Sequence, residues 1–225
     1  MRVRHVVAIA ASIMIVVLFG WLYLAVAAID PVGVSSSPQM MDVDAEEILV
    51  GLAAQYENMY EAKNESFSGV IVVFSDFGCS FCKKYSEELA TVRSYYQRRV
   101  PMVFVHVPLY PEVQYASEVG VCAQQQGAVW DFEPFLFRKA AALEEQDVIG
   151  YASEIGLDTE LLQECLSSGI AQDQIAADME LARISGIAGT PTTVFVAGKK
   201  VYKHEGMLTT EEVISMFEQF LLLDE

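Results

Sequence analysis

The sequence predicts an α/β fold with an inserted helical subdomain, preceded by an N-terminal transmembrane helix. Three observations support this prediction. A strand, a helix and a second strand follow one another over residues 69–107, and a hairpin and a helix occupy residues 192–222. Between these two parts, residues 112–186 show only helical periodicity. Before all of them, residues 6–29 form an uncharged, apolar run.

The apolar run fits either a membrane anchor or a signal peptide, both within residues 1–29. A helix over residues 6–29 would be about 36 Å long, enough to cross a hydrocarbon core of about 30 Å. Arg2 and Arg4 precede it, which predicts a cytoplasmic N-terminus and an extracytoplasmic remainder. The small-x-small pattern at residues 25–27 also fits a cleavage site, but the run is longer than a usual signal core. We therefore favour an uncleaved anchor in the cell membrane.

Composition excludes two classes of protein. The chain has 225 residues, a net charge of -17 and 53% hydrophobic residues. So many apolar residues can build a core, which argues against a disordered chain. So acidic a chain repels phosphate, which argues against a nucleic-acid-binding protein.

The predicted domains follow from local composition. Residues 30–43 are rich in Pro, Ser and Gly, so we expect a linker there. A single domain over 44–225 follows, beginning with an amphipathic helix that ends near residue 64.

Each half of the predicted sheet begins with a β-branched run. Gly69–Phe74 should be a buried strand, followed by a helix and then by a strand over Pro101–Val107. One helix face is expected to be apolar through Phe81, Tyr85, Leu89, Val92 and Tyr96.

The helical insertion and the second half of the sheet follow in order. Four or five helical segments are predicted, through Val113–Gln126, Trp130–Leu143, Gln146–Ile155, Thr159–Leu166 and Ile170–Ile184. Strands are then predicted at Thr192–Val196 and Lys199–His204, before a last helix that Thr209 and Glu212 open as a capping box.

Cys79 and Cys82 form a CxxC motif where a strand enters a helix. At a helix N-terminus, unpaired N–H groups and the dipole stabilise a thiolate, so Cys79 is the expected nucleophile. Cys82 could then close back onto Cys79 and release a mixed-disulfide partner. A zinc site or a purely structural disulfide is the alternative. Zinc is disfavoured because Cys122 and Cys165 are not a close pair and have no neighbouring His, so no metal and no cofactor is expected.

A second motif, Gly189-Thr190-Pro191-Thr192, lies directly before a predicted strand, where Pro191 could be preceded by a cis peptide. With the CxxC, this order of elements resembles the thioredoxin fold, and the insertion makes the chain similar to DsbA-like thiol-disulfide oxidoreductases. The resemblance spans residues 67–222. It implies that Cys79 attacks, that Cys82 resolves, and that Thr190 and Pro191 contact an extended substrate.

Two positions depart from that family. Ser80 and Phe81 stand between the cysteines in place of the Pro-His of strongly oxidising members, so a less oxidising couple is expected. Val73 stands where many members carry a buried acid, so Cys82 must exchange its proton with another group.

Cys122 and Cys165 are either two buried thiols or a structural disulfide that joins two insertion helices. Some DsbA-like proteins have a second disulfide there, and we favour the disulfide.

The expected function is a membrane-tethered thiol-disulfide oxidoreductase. Its expected partners are cysteine-containing exported proteins, a redox partner that regenerates the Cys79–Cys82 pair, and the membrane. A disulfide reductase or isomerase, or a non-catalytic peptide-binding module, remains the alternative. The sequence does not decide the direction of exchange.

Overall fold

The computed structural model describes residues 69–97, 100–197 and 200–222. The predicted membrane segment 1–29, the linker 30–43 and the helix predicted from residue 44 lie outside these ranges. Within them, no helix combines the length and the apolar character needed to cross a membrane.

The strands form a four-stranded mixed sheet in the order β2-β1-β3-β4. Strand β1 runs parallel to β2 and antiparallel to β3, and β3 pairs antiparallel with β4. The strands are β1 (Gly69–Ser75), β2 (Met102–His106), β3 (Thr192–Ala197) and β4 (Lys200–Glu205). The predicted strands are confirmed to within one or two residues, because β-branched runs that fill both faces of a sheet are distinctive.

Successive residues of β1 contribute to different sides of the sheet. Ile71 and Val73 belong to a core that includes helix α1 (Ser80–Tyr95) and helix α7 (Thr210–Leu222). Val70, Val72 and Phe74 belong to a second core that includes residues of helix α6 (Ile170–Ile184). Helices therefore cover both faces of β1, and α1 leads from β1 to β2.

The insertion between β2 and β3 is helical, as predicted. Its helices are α2 (Gln114–Gln125), α3 (Val129–Lys139), α4 (Glu145–Glu154), α5 (Thr159–Ser168) and α6. The 3₁₀ turns Pro111–Val113 and Ala140–Ala142 precede α2 and follow α3. The helix predicted over Trp130–Leu143 is therefore shorter than expected.

Two helix termini are explained by their local sequence. Glu212 accepts a hydrogen bond from the Thr209 N–H (2.8 Å), and the Thr209 hydroxyl accepts one from the Glu212 N–H (3.3 Å). This is the predicted capping box at the start of α7. At the end of α5, Gly169 has φ 87°, a left-handed conformation that favours glycine.

The prediction for Phe81 was wrong. Tyr85, Leu89, Val92 and Tyr96 are at most 5% exposed, but Phe81 is 60% exposed. Phe81 lies in the first turn of α1, directly after the loop that leaves the end of β1, and there the buried position belongs to Cys82 instead. Helical periodicity places Phe81 on the apolar face of α1, but the local sequence does not show how far along the helix other elements cover that face.

His106 ends β2 inside the protein. Its backbone N–H donates to the Asp178 carboxylate (2.7 Å), and its ring Nε2 lies 3.2 Å from Gln124 Oε1. Burial lowers the pKa of His106 to about 3, although the hydrogen bond with Gln124 opposes the change. His106 is therefore a neutral, packed strand residue.

Candidate active site

The two cysteines of the CxxC lie where β1 passes into α1. Cys79 is the N-cap residue of α1, with extended backbone angles, and its N–H donates to the Asp76 carbonyl (3.0 Å). The first N–H groups of a helix have no intrahelical partner, so the Cys79 sulfur lies at the positive end of α1. Both cysteines are free thiols, Cys79 partly exposed and Cys82 only 2% exposed. Of the two, only Cys79 is open to a large substrate.

Cys79 and the Thr190-Pro191 motif meet across the fold. The Cys79 thiol donates a hydrogen bond to the Thr190 carbonyl, with Sγ and O 3.3 Å apart. The Thr190–Pro191 peptide bond is cis, and Pro191 directly precedes β3. The structure therefore brings together all four predicted site residues, Cys79, Cys82, Thr190 and Pro191.

The loop that carries Thr190 is held at both ends by hydrogen bonds. The Thr192 hydroxyl donates to the Gly189 carbonyl (2.7 Å), and the Gly206 N–H donates to the Pro191 carbonyl (2.8 Å). Since Thr192 also pairs with Phe74 at the end of β1, the loop and the CxxC lie at the same edge of the sheet.

Burial gives Cys82 a different chemistry from Cys79. Desolvation raises the pKa of the Cys82 thiol to about 12, and the nearby charge of Cys79 adds to the rise. Polar groups that face the thiol oppose it, namely the Asp76 N–H and the hydroxyls of Thr190 and Ser75. Burial therefore favours the neutral thiol form of Cys82.

Asp76 shapes the loop before Cys79. Its carboxylate is fully buried and accepts hydrogen bonds from the N–H groups of Gly78 (2.8 Å) and Leu109 (3.2 Å). Burial raises the pKa of Asp76, the two N–H groups oppose this, and Glu112 adds a smaller repulsion. Asp76 thus ties the loop after β1 to the loop after β2.

Four of the large exposed apolar side chains come from segments that border the two cysteines or the Thr190-Pro191 loop. They are Phe81 (60% exposed), Leu109 (51%), Tyr110 (51%) and Met207 (37%). Phe81 lies inside the CxxC, Tyr110 lies beside Gly78, and Met207 follows the residue bonded to Pro191. Leu109 and Tyr110 were not predicted. Their only signal in the sequence is an apolar pair between Pro108 and Pro111, directly after a buried strand.

Cys122 and Cys165 form a disulfide bond that joins α2 to α5. Their sulfurs are 2.03 Å apart and their Cα atoms 5.7 Å apart, and both residues are buried. The bond lies inside the helical insertion. In the part of the chain that the structure describes, no group of three His, Cys, Asp or Glu side chains could hold a metal ion.

Comparison with known proteins places the chain in a family. A family model described as thioredoxin matches residues 64–216. A solved thioredoxin-like oxidoreductase from Silicibacter pomeroyi DSS-3 is 25% identical, with a TM-score of 0.53 over 69% of this chain and 88% of that one. The thiol-disulfide exchange protein alpha-DsbA2 from Wolbachia pipientis shares the fold at 15% identity, with a TM-score of 0.56 over 78% of this chain and 97% of that one.

Curated relatives are much longer than the region they share with this chain. The Na(+)/H(+) antiporter NhaA of Herminiimonas arsenicoxydans is 31% identical over 131 residues, which are 58% of this chain and 21% of the antiporter. The antiporter NhaA 1 of Salinispora arenicola is 30% identical over 148 residues, 63% of this chain and 21% of its own length. The match thus spans about a fifth of these relatives. The thioredoxin model covers more than half of the chain, so the chain belongs to the thioredoxin family, and it shares its fold with DsbA proteins such as alpha-DsbA2 of Wolbachia pipientis.

Proposed function

We propose that the protein is a membrane-tethered thiol-disulfide oxidoreductase that exchanges disulfides with exported, cysteine-containing proteins through a mixed disulfide at Cys79. One observation carries the proposal. A partly exposed thiol at a helix N-terminus lies 3.3 Å from the Thr190 carbonyl, and a buried thiol follows within the first turn of the same helix. This arrangement lets one sulfur meet a substrate while the other waits, protected from solvent.

In the reducing direction, the Cys79 thiolate attacks one sulfur of a substrate disulfide. A new Cys79–substrate disulfide forms, and the other substrate sulfur leaves as a thiolate that takes up a proton. Cys82 then loses its proton to solvent and attacks the Cys79 sulfur, and the first substrate sulfur leaves as a thiol. Two electrons pass to the substrate, and the protein is left with a Cys79–Cys82 disulfide.

In the oxidising direction, the same steps run backwards. A substrate thiolate attacks Cys79 in the Cys79–Cys82 disulfide, and Cys82 leaves. Burial raises the thiol pKa of Cys82 to about 12, which makes its thiolate a poor leaving group, so Cys82 must take up a proton from solvent as it departs. A second substrate thiol then releases the product disulfide, and the reduced pair requires a redox partner that accepts two electrons.

The exposed apolar residues suggest the substrate class. Phe81, Leu109, Tyr110 and Met207 are exposed apolar side chains on the segments next to the CxxC and the Thr190-Pro191 loop, and Cys79 is partly exposed there. A folded protein hides most of its apolar side chains, whereas an unfolded or partly folded chain offers them. We therefore infer that the substrates are exported proteins that have not finished folding.

The proposed location depends on the sequence before the described domain. The uncharged run 6–29, preceded by Arg2 and Arg4, supports a single-pass anchor with a cytoplasmic N-terminus and an extracytoplasmic catalytic domain. Cell fractionation tests this part separately. The full-length chain should remain with the membrane after a high-salt wash, and release of a shortened soluble protein would contradict the anchor.

Single-cysteine variants test the exchange chemistry. Cys82→Ala should accumulate a mixed disulfide with a substrate protein that carries a disulfide, because no second thiol displaces the substrate from Cys79. Cys79→Ala should form none and should lose dithiol-dependent reduction of insulin. The matched control is Cys122→Ala/Cys165→Ala, which leaves the exchange pair intact. If Cys79→Ala keeps the wild-type rate, the assignment of Cys79 is wrong.

The reduction potential of the Cys79–Cys82 pair decides the direction of exchange. An oxidising potential would make the protein a disulfide donor, and a reducing one would make it a reductase or isomerase. A purely peptide-binding module would bind unfolded protein equally well in the wild type and in Cys79→Ala, with no turnover in either.

A further inference from the structure

A buried hydrogen bond joins the helix of the CxxC to the strand that follows Pro191. The hydroxyl oxygens of Tyr85 and Thr193 are 2.7 Å apart, and the two residues are 108 positions apart in the chain. Tyr85 is 1% exposed and Thr193 is fully buried. A buried hydroxyl that loses its partner is costly, so this pair is a strong directional link between α1 and β3.

Each partner lies two or three positions along the chain from a residue of the active site. Tyr85 is three positions after Cys82 on the buried side of α1. Thr193 is the second residue of β3 and lies two positions after Pro191, which directly precedes the strand. The hydrogen bond therefore connects α1 and β3 next to the place where the Cys79 sulfur meets the Thr190 carbonyl.

Packing alone would fix this distance less sharply. Val73, which pairs with Thr193 in the sheet, and Leu89 are apolar, and apolar contacts are non-directional. A hydrogen bond between hydroxyls holds its oxygens within a few tenths of an ångström. Burial raises the pKa of Tyr85 above its ordinary value, so the phenol keeps its proton at neutral pH.

We propose that Tyr85 and Thr193 are positioning residues whose hydrogen bond sets the separation between the Cys79 sulfur and the Thr190 carbonyl. This inference rests on the proposed function. A peptide disulfide must contact both elements during attack, the sulfur on α1 and the Thr190-Pro191 segment before β3. A small alkylating reagent needs only the sulfur. Loss of the Tyr85–Thr193 hydrogen bond should therefore slow the reaction with the peptide and leave the reaction with the alkylating reagent unchanged.

The test compares two reactions of the reduced full-length chain. One is the second-order rate with a peptide that carries an intramolecular disulfide, and the other is alkylation of Cys79 by iodoacetamide. Tyr85→Phe and Thr193→Val should each lower the peptide rate roughly threefold to tenfold while alkylation stays within about twofold of the wild type. The double variant should react no more slowly than either single variant, because both remove the same bond.

Two controls keep the result specific. Thr193→Ser keeps a hydroxyl and should react with the peptide at close to the wild-type rate. If Tyr85→Phe does not fold, the comparison of Thr193→Val with Thr193→Ser tests the inference alone. Tyr202→Phe removes the hydroxyl of another buried tyrosine, on β4, and should change neither rate. The inference is overturned if peptide rates are unchanged, or if both reactions slow in parallel. A wild-type chain that does not react with the peptide would instead refute the proposed function.

Discussion

Removal of the Cys122–Cys165 disulfide should destabilise the domain without stopping exchange at Cys79. The perturbation is the variant Cys122→Ala/Cys165→Ala, which replaces two buried sulfurs by small apolar side chains. The two cysteines are 43 positions apart, and closing a loop of that length raises the free energy of the unfolded chain by about 4 kcal/mol in the chain-entropy model. In a domain of this size, such a loss lowers the melting temperature by roughly 10 °C.

The assay is equilibrium unfolding in urea without reductant. The midpoint should fall in Cys122→Ala/Cys165→Ala, and the control Cys79→Ala/Cys82→Ala should unfold close to the wild type, because its cysteines are free thiols in this structure. Under mild reduction, the wild type should keep the buried Cys122–Cys165 bond while the exchange pair opens.

Two results would refute this reasoning. A loss of less than about 1 kcal/mol would mean that the bond constrains the unfolded chain much less than loop length predicts. A fall in the rate of peptide exchange at temperatures where the variant is fully folded would mean that the disulfide also sets the geometry of the active site.

Two further predictions concern buried groups. Burial lowers the folded-state pKa of His106 to about 3, so its contribution to stability is present above about pH 6.5 and is lost as the pH falls. Burial raises the pKa of Glu133 to about 8, so its contribution to stability is present below about pH 4.5 and is lost as the pH rises. Each group changes the free energy of unfolding by about 1.4 kcal/mol per pH unit, and the two slopes should cancel between about pH 4.5 and 6.5. In that range the free energy of unfolding should fall with rising pH in His106→Gln and increase with rising pH in Glu133→Gln. Parallel profiles in the two variants would contradict both assignments. Gly120→Ala should cost about 1–3 kcal/mol in urea unfolding, because its Cβ would lie 2.6 Å from His106 Cε1. The control Gly150→Ala has open space and should gain up to about 1 kcal/mol, so equal effects would show that Gly120 is not sterically required.

Features that depend on neighbouring residues were predictable from the sequence. The β-branched run Gly69–Phe74 has few alternatives to a buried strand, and Thr209 with Glu212 satisfies helix N–H groups within a single turn. The position of the CxxC followed from the same rules, since a strand ends before Cys79 and a helix begins after it.

Features that depend on distant residues could not be predicted in the same way. Periodicity puts Phe81 on the apolar face of α1, but its exposure depends on what covers the first turn. Tyr85 and Thr193 each fit an ordinary buried position, and only the fold shows that their hydroxyls meet. Leu109 lies beside the CxxC because the buried Asp76 carboxylate holds its N–H, a contact across 33 positions.

The long insertion does not prevent precise geometry at the active site, because the entropic cost of closing a loop grows slowly with its length. Cys79 and Thr190 are 111 positions apart, yet each doubling of a loop costs only about 0.6 kcal/mol. The insertion can thus lengthen the connection at a small entropic cost, provided that its helices are stable. The Cys122–Cys165 bond shortens the effective loop within the insertion. Geometry at the site then depends on short-range links between α1 and β3, where the Tyr85–Thr193 hydrogen bond acts directly. Stability and geometry therefore depend on different contacts, which is why the disulfide and the Tyr85–Thr193 pair should separate in the two assays.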